Sequence, residues 1–266
     1  MDSKIRVIGI TGQANSGKDT VAGYFVQNHN FVQVALADPL KRFGKHVFEF
    51  TEQQLWGPSE YRNALDSRYK YYDKNRGSDA MWAKAAHNLS LYGRTWVKAT
   101  LATIDDVKCS EAHEKLISWF HWLGNNHPEL SPRVMLQTLG TEWGRESVDK
   151  DIWVNSMLIC AKALEAPHTT YTKTAGIVDH AGDNHTGIVV SDVRFNNELK
   201  AIRAFGGELI QVKRASTDAN ATTTGIAKHR SETEQQGFSA SEFNLVIEND
   251  STLEALENKV NTYVQG

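Results

Sequence analysis

Residues 9–20 read GITGQANSGKDT, with Gly12 and Gly17 five apart and Lys18 directly after the second. Two glycines at that interval let a backbone curl closely around an anion, so that amide N–H groups at the start of the next helix face it. Lys18 adds a point charge beside them. The chemistry this suits is the holding and transfer of a phosphoryl group. A hydroxyl that meets magnesium normally follows such a lysine, but here Asp19 intervenes and Thr20 brings the hydroxyl one position later. Asp19 either reaches the metal through water or sits favourably at the positive end of a helix. Gly12, Asn15, Ser16, Gly17, Lys18, Asp19 and Thr20 are therefore the candidates for binding a nucleotide's phosphates, and Thr20 and Asp19 for magnesium. The plain alternative is a fortuitous glycine-rich turn, which the strand and helix patterns on either side disfavour.

A second constellation is SDVRFNNE, residues 191–198. In an extended segment Asp192 and Arg194 point the same way, the acid able to hold magnesium or a sugar hydroxyl and the guanidinium able to clamp a phosphate through two bonds. Glu198 completes the set; the competing reading is a surface network of charges. Arg133 and Arg145 are candidates for neutralising two phosphates as they meet, against the reading of ordinary surface arginines. Asp38 precedes Pro39, and a helix N-cap explains it without function. Lys213, Arg214, Lys228, His229 and Arg230 bracket a Thr-rich stretch and suggest a mobile basic lid around 213–230, since water must be kept from a phosphoryl group in transit. Two further signals weigh less. RYKYYDKNR interleaves bases and aromatics as single-strand binders do, but it reads better as a helix face. His180 and His185 flank acidic residues at a spacing that suits a turn better than a metal site.

These residues need elements to hold them. IRVIGI is a β-branched strand, and Val21, Phe25 and Val26 recur at helical spacing after the loop. A strand over 31–36 follows, then a helix from ADPLKRF. Residues 64–130 carry Trp82, Trp96, Trp119 and Trp122 and read as helices broken at Gly93 and at GNNHPELSP. SPRVMLQTLGTEWGRES predicts an amphipathic helix burying Val134, Leu136, Leu139 and Trp143, and DIWVNSMLICAKAL another. TTYTKTAGIVDHAGDNHTG predicts a surface hairpin turning near Gly182. The strand GIVV, the helix LKAIRAF, the strand ELIQVKR, the strand FNLVIEND and a last helix close the chain. Alternating strands and helices predict an α/β fold with a mostly parallel sheet covered on both faces. Ligands of such sheets lie beyond the carboxyl ends of the strands, which selects Gly12–Thr20, Asp38, Asp192–Glu198 and Asn249–Asp250.

At 266 residues, 40% hydrophobic and 23% charged, the chain can bury a real core, and one domain with an insertion fits better than two separate ones. Its net charge of −3 gives no global attraction to nucleic acid or to an anionic membrane. Two distant cysteines, no leader-like start and no run of about 18 apolar residues point to an intracellular, reducing location.

Taken together, GITGQANSGKDT, LADPLKR, EQQLWGPSEYRN, LQTLGTEWGRE, VVSDVRFNNELKAIRAFGGELIQVKR, HRSETE and VIENDSTLEAL resemble the deoxynucleoside monophosphate kinases of tailed bacteriophages. The family pattern has proline within DVRFPNE where this chain has Asn196. The resemblance implies a P-loop kinase fold, a three-layer α/β sandwich; its core would run over 1–63 and 131–266, while 64–130, which none of these motifs covers, reads from its aromatics as a helical insertion. It implies ATP and Mg2+ as the phosphoryl donor and its metal, and a deoxynucleoside 5'-monophosphate as acceptor. On matching positions, Lys18 and Thr20 would meet ATP and magnesium, and Asp38, Arg145, Asp192, Arg194 and Glu198 would form the acceptor and transfer site. The setting implied is the cytoplasm of an infected bacterial host; a homodimer is compatible with the sequence, and neither membrane nor nucleic acid is an expected partner. A P-loop kinase for another small acceptor, such as dephospho-coenzyme A or a modified nucleotide, is the alternative within enzymes. A DNA-stimulated motor ATPase is the alternative outside kinases, but no apolar strand ends in Asp-Glu.

Overall fold

The computed structural model describes residues 5–13, 15–101, 105–180, 182, 185–214 and 238–266. It resolves into two compact units, one formed by Met1–Leu36 with Met157–Gly266 and the other by Ala37–Ser156. The segment 64–130 lies within the second. Most of the basic stretch around 213–230, including Lys228, His229 and Arg230, lies outside the described residues.

The first unit is an α/β sandwich built on β1 (Arg6–Thr11), β2 (Phe31–Val34), β5 (Gly187–Val190), β6 (Glu208–Lys213) and β7 (Leu245–Glu248). They form one parallel sheet in the order β2-β5-β1-β6-β7, with β1 at the centre. Alternation along the strands serves both faces. Ile8, Ile10, Val189, Ile210, Val212 and Ile247 pack against Val21, Ala22 and Phe25 of α1 (Lys18–His29) and Leu256 and Val260 of α10 (Leu253–Gln265). On the opposite face a Cβ at Gly9 would come within 2.8 Å of Ile202 in α9 (Asn196–Ala204), so glycine there admits the close approach of that helix. Val26, at helical spacing with Val21 and Phe25, is 38% exposed.

A separate antiparallel hairpin pairs β3 (Thr169–Thr172) with β4 (Gly176–Asp179). Its turn falls at 173–175 and not near Gly182, because Thr172 Oγ1 accepts the Ala175 N–H at 3.2 Å and Gly176 supplies the left-handed residue, φ 86°. The strand expected over 31–36 ends at Val34, where the Leu36 N–H is diverted to Asp192 Oδ1 at 2.8 Å.

The second unit is helical: α2 (Asp38–Val47), α3 (Glu52–Trp56), α4 (Ser59–Asn63), α5 (Ala80–Leu101), α6 (Asp106–Asn126) and α7 (Pro132–Thr138), followed by a π-helix (Leu139–Val148) and the start of α8 (Ile152–Ala163). Its core is aromatic. Phe48 lies 6.0 Å from Trp82 and 5.8 Å from Phe120, and Trp96 lies 4.6 Å from Phe43 and 5.1 Å from Trp143. Three of the buried indoles donate to backbone carbonyls, Trp82 to Pro128, Trp96 to Pro39 and Trp143 to Ala112, so their polar ends are satisfied inside. Trp119 is also buried, with no hydrogen-bond partner for its Nε1 among the described residues, and Trp122 is 40% exposed.

Four local expectations need correction. Helix α5 runs unbroken through Gly93, whose missing side chain makes room for His113 of α6; a Cβ would stand 3.2 Å from its Nε2. The single helix expected over 131–147 divides into α7 and the π-helix, and this moves Val134 and Leu136 to half-buried positions while Met135, Leu139 and Trp143 are buried. RYKYYDKNR is not a helix, because carboxylates hold its backbone open: Asp79 Oδ2 accepts the Lys70 and Tyr71 N–H groups, and Asp66 pairs with Arg68 at 2.7 Å. Asp38 is the first residue of α2 and Ala37 its N-cap, since the Asp38 side chain is committed elsewhere.

Candidate functional site

The loop leaves β1 at Thr11 and enters α1 at Lys18. Asn15 and Gly17 take left-handed backbone, φ 64° and 99°, and the Ser16 N–H folds back to Gln13 O at 3.1 Å. Gly17 is the N-cap of α1 and has no side chain with which to cap it. The first N–H groups of a helix lack intrahelical acceptors, so those of Lys18, Asp19 and Thr20 remain donors for an anion. A Cβ on Gly12 would meet Ser16 Oγ at 2.5 Å and Val212 O at 2.6 Å, so Gly12 is what lets Ser16 tuck under the loop. Ser16 is buried, and its hydroxyl has no hydrogen-bond partner among the described residues. The same holds for Thr11 Oγ1 and Gln211 Oε1, whose residues face each other across β1 and β6. Three buried polar atoms left open at one loop and its flanking strand fit a site that takes a polar ligand. Thr11 and Gln211 carried no signal in the sequence; a polar residue amid the apolar run ELIQVK was the available hint.

Lys18 is largely buried, with 13% of its side chain exposed, and its Nζ lies 4.0 Å from Asp19 Oδ2. Asp19 and Thr20 are exposed at the head of the helix.

The SDVRFNNE segment leaves β5 beside β1 and is tied down residue by residue. Ser191 Oγ accepts Gln33 Nε2 at 2.8 Å, Asp192 Oδ1 accepts the Leu36 N–H, and the Val193 N–H reaches Ile10 O at 3.3 Å. Val193 is buried between half-buried Asp192 and Arg194. Glu198, 1% exposed, turns back to accept the Arg194 N–H at 2.7 Å and the Phe195 N–H at 3.1 Å. It thereby fixes the start of α9, which Asn196 opens. Loop and segment therefore share the carboxyl edge of the sheet. Lys213 ends β6 at that edge, with Arg214 next.

Asp38, Arg133 and Arg145 belong to the helical unit. Asp38 is 3% exposed and accepts Trp56 Nε1 at 3.0 Å, while Lys41 Nζ stands 5.8 Å over the Trp56 ring. Arg133, in the first turn of α7, donates from Nε to Asn63 Oδ1. Arg62 lies close by: partial burial, and then the charge of Arg133, push its pKa down. Gly57 O and Leu55 O nevertheless hold the Arg62 guanidinium at 2.7 and 3.3 Å. Arg145 rides on the π-helix, whose backbone is braced by Trp153 Nε1 to Gly140 O at 2.8 Å and Lys115 Nζ to Ser147 O at 2.6 Å. Such wide helical turns are rare and recur at functional sites. Outside these groups, His185 Nε2 meets Thr170 Oγ1 at 2.6 Å and stacks on His180.

The chain is 24% identical to a protein of Acanthamoeba polyphaga mimivirus over 96% of its own length and 93% of the relative's. It is 24% identical to the deoxynucleotide monophosphate kinase of Enterobacteria phage T4, covering 96% and 97% of the two chains. To the deoxynucleoside-5'-monophosphate kinase of Escherichia phage T5 it is 25% identical, over 74% and 71%. The family model for deoxynucleotide monophosphate kinases matches residues 6–260, from the first strand into the last helix, and the chain belongs to that family.

Proposed function

We propose that the protein transfers the γ-phosphoryl group of ATP to a deoxynucleoside 5'-monophosphate, giving the deoxynucleoside diphosphate and ADP. The observation that carries the donor half is the loop at the end of β1, with left-handed Asn15 and Gly17, an uncapped helix start, and a buried Ser16 hydroxyl that has no partner among the described residues. Family membership carries the acceptor. The bond from the γ-phosphorus to the bridging oxygen breaks, an oxygen of the acceptor phosphate forms the new bond, and the electron pair leaves on ADP. That oxygen is anionic near neutral pH, so no strong general base is required; positioning and charge neutralisation supply the rate.

In this reading the loop amides and Lys18 hold the donor phosphates, Asp192 and Arg194 act at the transfer point, and Glu198 fixes the backbone that presents them. Asp38, Arg133 and Arg145 serve acceptor binding. Thr20 and Asp19 would hold Mg2+, which supplies charge neutralisation to the donor when bound; a hard cation with few protein ligands suits an exposed hydroxyl and carboxylate. The phage origin of two relatives supports the cytoplasm of an infected bacterial cell as the setting of this proposed activity.

Purified protein with ATP and magnesium should convert at least one of the four common deoxynucleoside monophosphates, or a modified one, to its diphosphate. Conversion of dephospho-coenzyme A and of no deoxynucleotide would replace this reading with the other acceptor. Lys18→Ala should lower kcat/KM by at least about a thousandfold while the melting temperature holds; near-normal turnover would remove the loop from the mechanism.

A further inference from the structure

Asn249 stands one residue beyond β7 and is bound in two directions. Its backbone N–H donates to Lys213 O at 2.7 Å, which anchors it to the end of β6. Its side-chain Nδ2 donates to Ser16 O at 2.8 Å, inside the phosphate loop. The same Nδ2 is the atom that a Cβ on Gly17 would strike first. A trans peptide is planar, with its C=O and N–H opposed. With Ser16 C=O drawn toward Asn249, the N–H of Gly17 in the same peptide points away from Asn249. A solvated strand-end asparagine would need neither the reach to residue 16 nor a glycine opposite it.

We propose that Asn249 is a positioning residue for the donor site: its amide pins the Ser16–Gly17 peptide so that the Gly17 N–H is held ready for a phosphate of the nucleoside triphosphate. This deepens the function proposed above and rests on ATP as the donor. Asn249 touches no reacting atom. It sets the orientation of a group that does, and it links the loop near the start of the chain to the strand and helix that end it.

The test uses the full chain as wild type, Asn249→Ala and Asn249→Asp. It measures ATP affinity by calorimetry, KM for both substrates, melting temperature, and hydrogen exchange of peptides covering 9–20 and 208–213. Losing one such bond weakens ATP binding and raises its KM about tenfold, while the acceptor KM stays within about twofold. Exchange should accelerate in the loop peptide and not in the strand peptide. Aspartate fills the same space but sets an acceptor against the Ser16 carbonyl, so Asn249→Asp should do at least as badly as alanine. Wild-type ATP affinity in either variant overturns the proposal. So does equal weakening toward both substrates, or unchanged loop exchange in a destabilised variant. If alanine prevents folding, the aspartate variant alone decides. Tight ATP binding by a wild-type chain that phosphorylates no deoxynucleotide would count against the proposed acceptor and leave the role of Asn249 standing.

Discussion

Gly17 carries two constraints at a single position: a backbone at φ 99°, and the Asn249 amide lying where a side chain would begin. Left-handed backbone alone costs a non-glycine residue about 1–2 kcal/mol. Gly17→Ala should therefore lower unfolding free energy by at least about that amount, read by urea denaturation, and should abolish measurable ATP binding in the same preparation. Most of the loop was legible in the sequence, because two glycines and a lysine at that spacing have few other uses. Asn249 was legible only as a neighbour of the site. Its task is a contact with residue 16, and no local pattern records a partner so distant along the chain. The Thr11 and Ser16 hydroxyls, without a hydrogen-bond partner among the described residues, were equally hidden, since such burial is a property of the assembled fold.

Among elements, α6 owes its position to a missing side chain. A Cβ at Gly124 would enter the Tyr72 ring at 2.5–2.6 Å, so Gly124→Ala must push the ring or the helix aside. Overpacking of this kind costs about 1–3 kcal/mol. The expected result is a lowered melting temperature with near-UV circular dichroism altered by the displaced aromatics, and Gly124→Ala/Tyr72→Leu should recover part of the loss. The central strands and their helices were legible because runs such as VIGI and GIVV suit a sheet buried on both faces. The π-helix was not, because apolar spacing does not distinguish bonds to the fourth residue from bonds to the fifth. Nor was the coil at 68–76, where Asp66 and Asp79 decide the backbone through hydrogen bonds that a hydrophobicity pattern does not register. Gly93 misled for a related reason: glycine in a helix reads as a stop unless the neighbouring helix it admits is known.

Across the whole chain, the first strand and the last helix meet at one carboxylate. Arg6 binds Glu208 through two nitrogens at 2.7 and 2.9 Å, and the Tyr263 hydroxyl donates to the same group. The Arg6 bonds, opposed by partial burial and helped by Tyr263, hold the Glu208 carboxyl below its usual value of 4.5. A lowered folded-state pKa contributes stability that is present above the unfolded value and lost as pH falls through the folded one. Glu208→Gln should thus reduce stability at neutral pH by about 1 kcal/mol and flatten the decline below about pH 4.5, measured as urea midpoints across a pH series. An unchanged acid slope would assign the pH dependence elsewhere. The strand register has a consequence for synthesis. Arg6 pairs with Gly187 and Ile8 with Glu208, so β1 leaves the ribosome long before either neighbour exists. At 5–20 residues per second it waits about 10–40 s, whereas Ala37–Ser156 is one continuous stretch that can close its aromatic core meanwhile. The glycine-rich loop is thus translated first and finished last. A nascent chain halted before β7 has no Asn249 to set that loop, so such a truncated product should hold ATP at least about tenfold more weakly than the full chain.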